Sequence, residues 1–164
     1  MSERHLTINH LSTKDLIRIF SKIKIDLAVQ FNGSPCWIWT AAISSGYGAT
    51  CLHNAVVHAH RLMYAWLVHP LPHGKQRGEI DHLCRNRACC NPIHLELVSS
   101  RVNVLRGVGP SALGSRKTHC PKGHPYAGDN LIVHPNHPRR RWCRECHRIA
   151  ATIRYHSSKK LTNT

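Results

Sequence analysis

The sequence has few acidic residues, no long apolar run and no secretory signal. Only eight residues are Asp or Glu, against 23 Lys and Arg, so the formal net charge of the 164-residue chain is +15. No apolar stretch approaches the roughly 18 residues that a membrane-spanning helix needs, and the N-terminal segment is polar. We therefore expect a cytoplasmic protein with no membrane contact and a polyanionic partner, with nucleic acid favoured over anionic lipid.

Aromatic residues are also scarce, at 6% of the chain, and hydrophobic residues make up 41%. A core built from so few large apolar side chains is expected to need cross-links. The chain has eight cysteines and 15 histidines. In a reducing compartment, cysteines mixed with histidines at short intervals indicate metal binding rather than disulfide bonds. The sequence therefore predicts a metal-stabilised protein.

The spacing of apolar residues predicts the secondary structure. Apolar residues at helical spacing predict an amphipathic packing helix over about 13–29. Short strands are predicted at 36–39, 47–52, 56–57 and 95–98, with another that ends at His82. Further helices are predicted from His58 to about Val68 and from Ser99 or Ser100 to a stop at Gly107. The composition of 107–119 indicates a linker, and the chain is expected to end in a frayed basic tail.

Cys84, Cys89 and His94 supply three candidate zinc ligands within eleven residues. Tetrahedral zinc prefers thiolate and imidazole ligands, and short spacings let one loop wrap the ion. The fourth ligand must come from elsewhere, and Cys36 at the start of a predicted strand is the candidate. Cys90 competes with Cys89, because adjacent residues of an extended chain point to opposite sides. Buried free thiols are the alternative interpretation.

A second set is complete in itself, because two close pairs of ligands are separated by eighteen residues, as in structural zinc modules. Its members are Cys120, His124, Cys143 and Cys146. Between the pairs lie Arg139, Arg140 and Arg141, followed by Trp142. This basic segment suits contact with a phosphate backbone, although a solvated basic loop is the alternative.

Neither set uses Asp81, His82 or Asn103. The predicted strand, loop, strand and helix would bring these three residues together around the first zinc. A carboxylate and an amide oxygen make a hard site suited to Mg²⁺, and an adjacent neutral imidazole can deprotonate water. The alternative is that Asp81 caps a turn and His82 is an ordinary loop residue.

The stretch 81–96, DHLCRNRACCNPIHLE, together with Asn103 and Arg106-Gly107, resembles the HNH endonucleases common in bacteriophages. It is also similar to the His-Cys box homing endonucleases of the same ββα-metal (His-Me finger) superfamily. Further segments fit the phage pattern, and the resemblance spans about residues 15–150. These segments are Cys36–Thr40, Gly46–Gly48, Ala59–Arg61, Cys120–His124 and Cys143–Cys146.

The resemblance implies an α+β protein, a small zinc-stapled ββα-metal nuclease fold with an N-terminal helix and a short antiparallel sheet. It implies that His82 is the general base and Asn103 a ligand of a catalytic Mg²⁺, which Mn²⁺ or another divalent ion can replace. Asp81 matches the second metal ligand, whereas some His-Cys box enzymes use the asparagine alone. The residues Cys84, Cys89 and His94 match a first structural zinc that an upstream cysteine completes, which supports Cys36; the second set matches a second structural zinc. Position 103 carries Asn where the family name has a third His, and this variant keeps an oxygen ligand.

The implied reaction is hydrolysis of double-stranded DNA, with a homing-type sequence preference, in a phage-infected bacterial host. Arg61 or Arg106 would contact the scissile phosphate, while the sheet over 36–57, Arg139–Arg141 and the basic tail would hold the duplex. Symmetric cutting of both strands would require a homodimer, whereas nicking requires one copy. The alternatives are a non-catalytic zinc-stapled DNA-binding protein and an RNA-binding or RNA-cleaving protein.

The predicted organisation has five segments. They are an N-terminal helix and lead-in (1–35), a nuclease core with the first zinc (36–107), a linker (108–119), a C-terminal zinc module (120–150) and a basic tail (151–164).

Overall fold

The protein is a mixed α+β molecule built from short helices and short antiparallel strands. A computed structural model describes residues 11–72 and 78–162. Its helices are α1 Thr13–Phe20, α2 Ala59–Leu67, α3 Ser100–Arg106, α4 Pro110–Arg116 and α5 Arg144–Thr162. Its strands are β1 Ile23–Phe31, β2 Ser34–Trp39, β3 Ile43–Ser44, β4 Tyr47–Leu52, β5 Ala55–His58, β6 Glu79–His82, β7 Leu95–Val98, β8 Leu131–His134 and β9 His137–Cys143. The chain divides into two compact units, 1–104 and 105–164.

The helix predicted over 13–29 is wrong beyond Phe20. Helix α1 begins after Ser12, whose side chain accepts from the Asp15 amide in a capping box, and it ends at Phe20. From Ile23 onward the apolar residues alternate with period two, and the backbone pairs with β2 as an antiparallel strand. Pairing with β2 satisfies the amide and carbonyl groups of this segment, so the strand replaces the second half of the predicted helix.

The first unit has its main core between α1, α2 and the strands around them. Antiparallel pairing joins β3 to β4 and β4 to β5, which confirms the strands predicted at 47–52 and 56–57, and α2 confirms the helix that follows. The buried apolar residues of this core are Ile19, Trp39, Leu52, Val57, Ala59, Leu62, Met63 and Cys90. This core supports β2 and the start of α2, the two places from which Cys36 and His60 extend.

A β-hairpin followed by a helix completes the first unit. Strands β6 and β7 pair antiparallel, with His82 opposite Leu95 and Glu79 opposite Val98. Helix α3 follows directly, so the hairpin and helix form a ββα unit, as the sequence predicts. A small apolar cluster of Tyr64, Ile80 and Leu95 lies beneath the hairpin.

The second unit contains α4, the β8–β9 hairpin and α5. The predicted linker contains α4, which begins with proline at its first position, and the predicted frayed tail is helical to Thr162. Both differences arise because Ala, Leu, Ile, Arg and Lys in these segments favour helix once a start is provided. In the described part of this unit, the only buried hydrophobic residues are Ala112, Cys120 and Cys143. None of the helices over 11–72 and 78–162 combines the length and the apolarity needed to cross a membrane.

Candidate metal and catalytic centre

The first Cys/His cluster joins β2 to the segment between β6 and β7. The potential ligand atoms of Cys36, Cys84, Cys89 and His94 all lie within 4.8 Å of one another. His94 Nδ1 is 3.5 Å from the sulfur of Cys36 and 3.5 Å from that of Cys89. Tetrahedral zinc, with bonds of about 2.3 Å to sulfur and about 2.0 Å to nitrogen, places these atoms about 3.6 Å apart. The geometry therefore fits a tetrahedral metal ion.

Backbone hydrogen bonds bring Cys36 to this cluster across more than fifty residues of sequence. The Trp39 amide donates to the Ala88 carbonyl at 2.9 Å, and the Cys90 amide donates to the Trp37 carbonyl at 2.8 Å. The segment after β6 therefore lies along β2 as an added, irregular strand. Cys36 on β2 and Cys89 on the added segment consequently face the same point.

Cys90 and Cys51 lie outside the cluster. Cys90 is fully buried in the main core, and its thiol donates to the Trp37 carbonyl at 3.2 Å. Burial raises the pKa of the Cys90 thiol to about 12, so this sulfur stays protonated. Cys51 is exposed. Of the two adjacent cysteines, Cys89 is the one that joins the cluster, as the alternation of an extended chain allows.

The second cluster lies where the β8–β9 hairpin meets α5. The potential ligand atoms of Cys120, His124, Cys143 and Cys146 lie within 4.8 Å of one another. His124 Nδ1 is 3.6 Å from the sulfur of Cys120, 3.6 Å from that of Cys143 and 3.3 Å from that of Cys146. These distances are also close to the edges of a zinc tetrahedron. The structure thus brings together both ligand sets that the spacing predicts.

His82 is the buried last residue of β6, with 6% of its surface exposed. Its Nε2 lies 3.0 Å from the backbone carbonyl of Cys89. Because a carbonyl only accepts hydrogen bonds, Nε2 must carry the proton, and the neutral ring has its lone pair on Nδ1. Burial also holds the pKa of the His82 imidazole below its usual range. The ring is thus fixed in the tautomer that accepts a proton at Nδ1.

Aromatic rings surround His82 on the side of α2 and β4. Its centroid is 4.8 Å from the ring of His60 and 5.7 Å from that of Tyr47. Burial, reinforced by the neighbouring His82, lowers the pKa of His60 to about 3, so His60 is neutral. Arg87 lies over the Tyr47 ring at 5.4 Å. Sequence reasoning does not predict a role for Tyr47 or His60, because their approach depends on the packing of α2 against β4.

Asp81 is almost completely buried, at 3% exposure, beside His82. Its carboxylate accepts from the Arg85 guanidinium at 2.8 Å. Arg85 follows in the turn after β6 and has a positive φ of 59°. This buried carboxylate is therefore paired with a cation inside its own loop.

Asn103 in α3 contacts a carboxylate that the sequence analysis does not single out. Its side-chain amide nitrogen donates to Glu79 at the start of β6, and Ser100 Oγ donates to the other oxygen of Glu79 at 2.7 Å. These hydrogen bonds, first that of Asn103 and then that of Ser100, hold the pKa of the Glu79 carboxyl below its usual range.

Comparison with known proteins identifies the segment that carries this geometry. Residues 57–105 match the family model for HNH endonucleases. The match contains α2, the β6–β7 hairpin and α3, and with them His82, Asn103 and three members of the first Cys/His cluster. Residues 57–105 are therefore similar to an HNH endonuclease domain and are called the HNH domain below.

Two phage proteins are similar to part of the chain. Protein 2.8 of Escherichia phage T7 is 31% identical over 83 residues, which are 49% of this chain and 54% of that protein. The Uncharacterized gene 5.3 protein of Enterobacteria phage T3 is 40% identical over 45 residues, 26% of this chain and 42% of that protein. The chain thus spans about half the length, or less, of these curated relatives. No solved structure matches it.

The arginines expected to contact DNA have different surroundings in and beyond the HNH domain. Arg61 on α2 lies close enough to Glu79 for its charge to favour the carboxylate. Arg140 is exposed on β9, whereas Arg141 donates to the Lys117 carbonyl at 2.7 Å and to that of Gly114. The side chain of Arg139 lies outside the described part of the structure. Arg106 is the last residue of α3.

Proposed function

We propose that this protein is a metal-dependent endonuclease that hydrolyses double-stranded DNA, with His82 as the general base. The observation that carries the proposal is the hydrogen-bond distance between His82 Nε2 and the Cys89 carbonyl, within a ββα unit of HNH type. A general base needs a fixed ring with a lone pair aimed at the reaction, and this contact supplies the fixed ring.

The path of the proton follows from the His82 tautomer that carries its proton on Nε2. Nδ1 of His82 accepts a proton from a water molecule, and the resulting hydroxide attacks phosphorus while the bond to the leaving oxygen breaks. The leaving oxygen takes a proton from solvent water, and His82 returns its Nδ1 proton to solvent. The imidazolium that forms keeps its Nε2 proton on the Cys89 carbonyl, whose dipole stabilises the positive charge. His60 and Tyr47 exclude bulk water from one side of the ring and, as neutral groups, do not oppose its protonation.

Asn103 and Asp81 are the candidate ligands of the catalytic metal. With its nitrogen committed to Glu79, the Asn103 amide offers Oδ1, and an amide oxygen with a carboxylate is a donor set that suits Mg²⁺ or Mn²⁺. A divalent cation held there would polarise the phosphate and neutralise charge on the leaving oxygen. Asp81 shares its carboxylate with Arg85, so Asn103 is the stronger candidate.

The two Cys/His clusters would each hold a structural zinc ion. Their ligand distances fit tetrahedral coordination, and neither contains the water-accessible fourth position of a catalytic zinc site. In the first unit, zinc would fix β2 to the segment that carries the Cys89 carbonyl. The same ion would therefore hold the acceptor that orients His82.

The charge distribution supports a DNA substrate. Residues 105–164 carry 12 of the 23 Lys and Arg but two of the eight acidic residues, a formal charge of +10. Exposed Arg140 and the basic helix α5 would contact phosphates of the DNA backbone. Arg61 or Arg106 would contact the scissile phosphate. A sequence preference of the homing type would come from the strands over 36–57.

The test is a nicking assay on supercoiled plasmid with Mg²⁺. Replacing His82 by Ala should lower the cleavage rate about 10²–10⁴-fold, the usual contribution of a general base. His69→Ala is the matched control, because this histidine just after α2 is exposed and its ring nitrogen Nδ1 lies 2.8 Å from the neighbouring Pro70 carbonyl. DNA binding, measured by gel shift in EDTA, should be the same for all three proteins.

Two outcomes would reject the proposal. Equal cleavage by wild type and His82→Ala would remove His82 as the base. Binding of plasmid without any cleavage, at any divalent ion, would favour a non-catalytic DNA-binding protein that retains the HNH scaffold.

A further inference from the structure

We infer that Glu79 is a positioning residue that fixes the orientation of the Asn103 amide, so that its oxygen rather than its nitrogen faces the catalytic metal. The inference rests on the proposed function, because it assumes that Asn103 is a ligand of the catalytic metal. It concerns a residue to which the family resemblance gives no role.

Strand pairing places Glu79 beside the first turn of α3. It opens β6 opposite Val98, the last residue of β7, and α3 begins two residues later at Ser100. The Glu79 carboxylate therefore lies where the helix starts. Ser100 and Asn103, one turn apart, both direct their side chains at it.

Each carboxylate oxygen of Glu79 has its own donor. Ser100 Oγ donates to Oε1 at 2.7 Å, and the Asn103 side-chain nitrogen donates to Oε2. With both oxygens engaged in this way, Glu79 is placed to orient Asn103 and is less suited to bind the metal directly. Asp81, two residues along the same strand, accepts a hydrogen bond from Arg85 at 2.8 Å.

The chemistry of the pair explains why a carboxylate is useful here. The two ends of an asparagine amide have the same shape, and rotation about the last side-chain bond exchanges a metal ligand for a donor that repels cations. A carboxylate only accepts hydrogen bonds, so it holds the nitrogen and turns the oxygen away from itself. Glu79 thus selects the one amide orientation that can bind a metal.

Two nearly isosteric substitutions separate this role from packing. Glu79→Met fills a similar space but accepts no hydrogen bond, so the Asn103 amide would lose its preferred orientation. Glu79→Gln keeps an oxygen that can accept from Asn103. We expect Mn²⁺ to bind the DNA-free, zinc-loaded protein about 10–100-fold more weakly in Glu79→Met, the usual effect of losing a ligand's hydrogen-bond partner. Glu79→Gln should lie between wild type and Glu79→Met, because its side-chain amide offers Asn103 both an acceptor and a donor.

Mn²⁺ binding is measured by electron paramagnetic resonance titration, with zinc content and melting temperature recorded for every variant. The same comparison is made in an Asn103→Ala background. If Glu79 acts only through Asn103, Glu79→Met should cause no further loss of Mn²⁺ affinity there. In a plasmid assay, excess Mn²⁺ should restore most of the cleavage by Glu79→Met, because the general base is intact.

Equal Mn²⁺ affinity in wild type and Glu79→Met would overturn the inference. So would an undiminished loss in the Asn103→Ala background, which would make Glu79 a metal ligand itself. Failure of the proposed function has a different signature, since a wild-type protein that neither binds Mn²⁺ nor cleaves DNA would contradict the nuclease assignment before any Glu79 variant is compared.

Discussion

At the level of single residues, three cysteines illustrate how environment decides chemistry. Cys36 and Cys90 are both fully buried, yet Cys36 faces three other ligands while Cys90 packs among apolar side chains. Cys51 is exposed on β4. A thiol needs converging partners to bind metal, and burial alone does not supply them.

Cys36→Ser should remove one zinc ion and destabilise the first unit. Wild type is expected to contain two zinc ions per chain by elemental analysis, and the variant one. Loss of a structural metal is among the largest effects of single substitutions, about 4 kcal/mol or more in unfolding free energy. Cys51→Ser is the matched control and should keep both the zinc content and the melting temperature of wild type. A Cys36→Ser protein that retained two zinc ions would exclude Cys36 as a ligand.

At the level of helices and strands, local patterns predicted well where one pattern dominated. The strand predicted over 47–52 and the helix predicted from Ser99 or Ser100 to a stop at Gly107 both correspond to observed elements. The prediction was wrong beyond Phe20, because apolar residues spaced for a helix in α1 run directly into residues spaced for a strand in β1. Only pairing with β2, which lies later in the sequence, decides between the two.

Prediction of the candidate site from local sequence patterns has the same limit. Ligand spacing was enough to predict the second Cys/His set and three members of the first, because chemistry restricts the ligands to few residue types. Cys36 was a candidate because it opens a predicted strand, and the family resemblance supported it. Glu79, His60 and Tyr47 were not predicted as parts of the site, since their contacts depend on strand register and on the packing of α2. Such residues carry no short-range signal that distinguishes them from ordinary Glu, His and Tyr.

Asn91 joins the segment 83–94 to β2, and replacing it tests how firmly this segment is held to the strand. It is 1% exposed, and its amide nitrogen donates to the Pro35 carbonyl at 2.8 Å and to Ser34 Oγ at 3.1 Å. Its oxygen accepts from the Ile93 amide at 3.1 Å. Asn91→Ala removes all three hydrogen bonds of this buried side chain and should lower the unfolding free energy by about 2–4 kcal/mol.

The matched control is Asn86→Ala in the same segment. The half-buried side chain of Asn86 accepts from the Ala88 amide, within its own turn, so its loss should cost about 1 kcal/mol or less. Urea denaturation of the zinc-loaded proteins measures both. Equal effects of the two substitutions would contradict the view that Asn91 fixes the segment to β2.

At the level of the whole molecule, positive charge is concentrated in the second unit, which carries +10 of the total +15. Few of its hydrophobic side chains are buried in the part that the structure describes, so the metal cluster and polar contacts must supply much of its stability. Some arginines of this unit therefore serve the fold, and others are available to a polyanion. Adjacent residues of β9 point to opposite faces, which divides the two roles between neighbours.

Arg140 and Arg141 should consequently respond in opposite ways to replacement by Ala. Arg140 is exposed, so Arg140→Ala should reduce the slope of log binding constant against log salt by about 1, with no change in melting temperature. Arg141 donates to the carbonyls of Lys117 and Gly114 and lies over the Tyr126 ring at 5.0 Å. Losing these contacts should lower the unfolding free energy by about 1.5–3 kcal/mol and leave the salt slope unchanged.

The comparison uses fluorescence anisotropy with a labelled duplex at several salt concentrations, together with thermal unfolding of the same preparations. Counterion release depends on contacts with phosphates, whereas unfolding depends on contacts within the unit, so the two measurements report separate properties. A smaller salt slope for Arg141→Ala at unchanged stability would assign Arg141 to the DNA surface. An unchanged slope for Arg140→Ala would place the DNA contacts of this unit elsewhere, with α5 as the next surface to test.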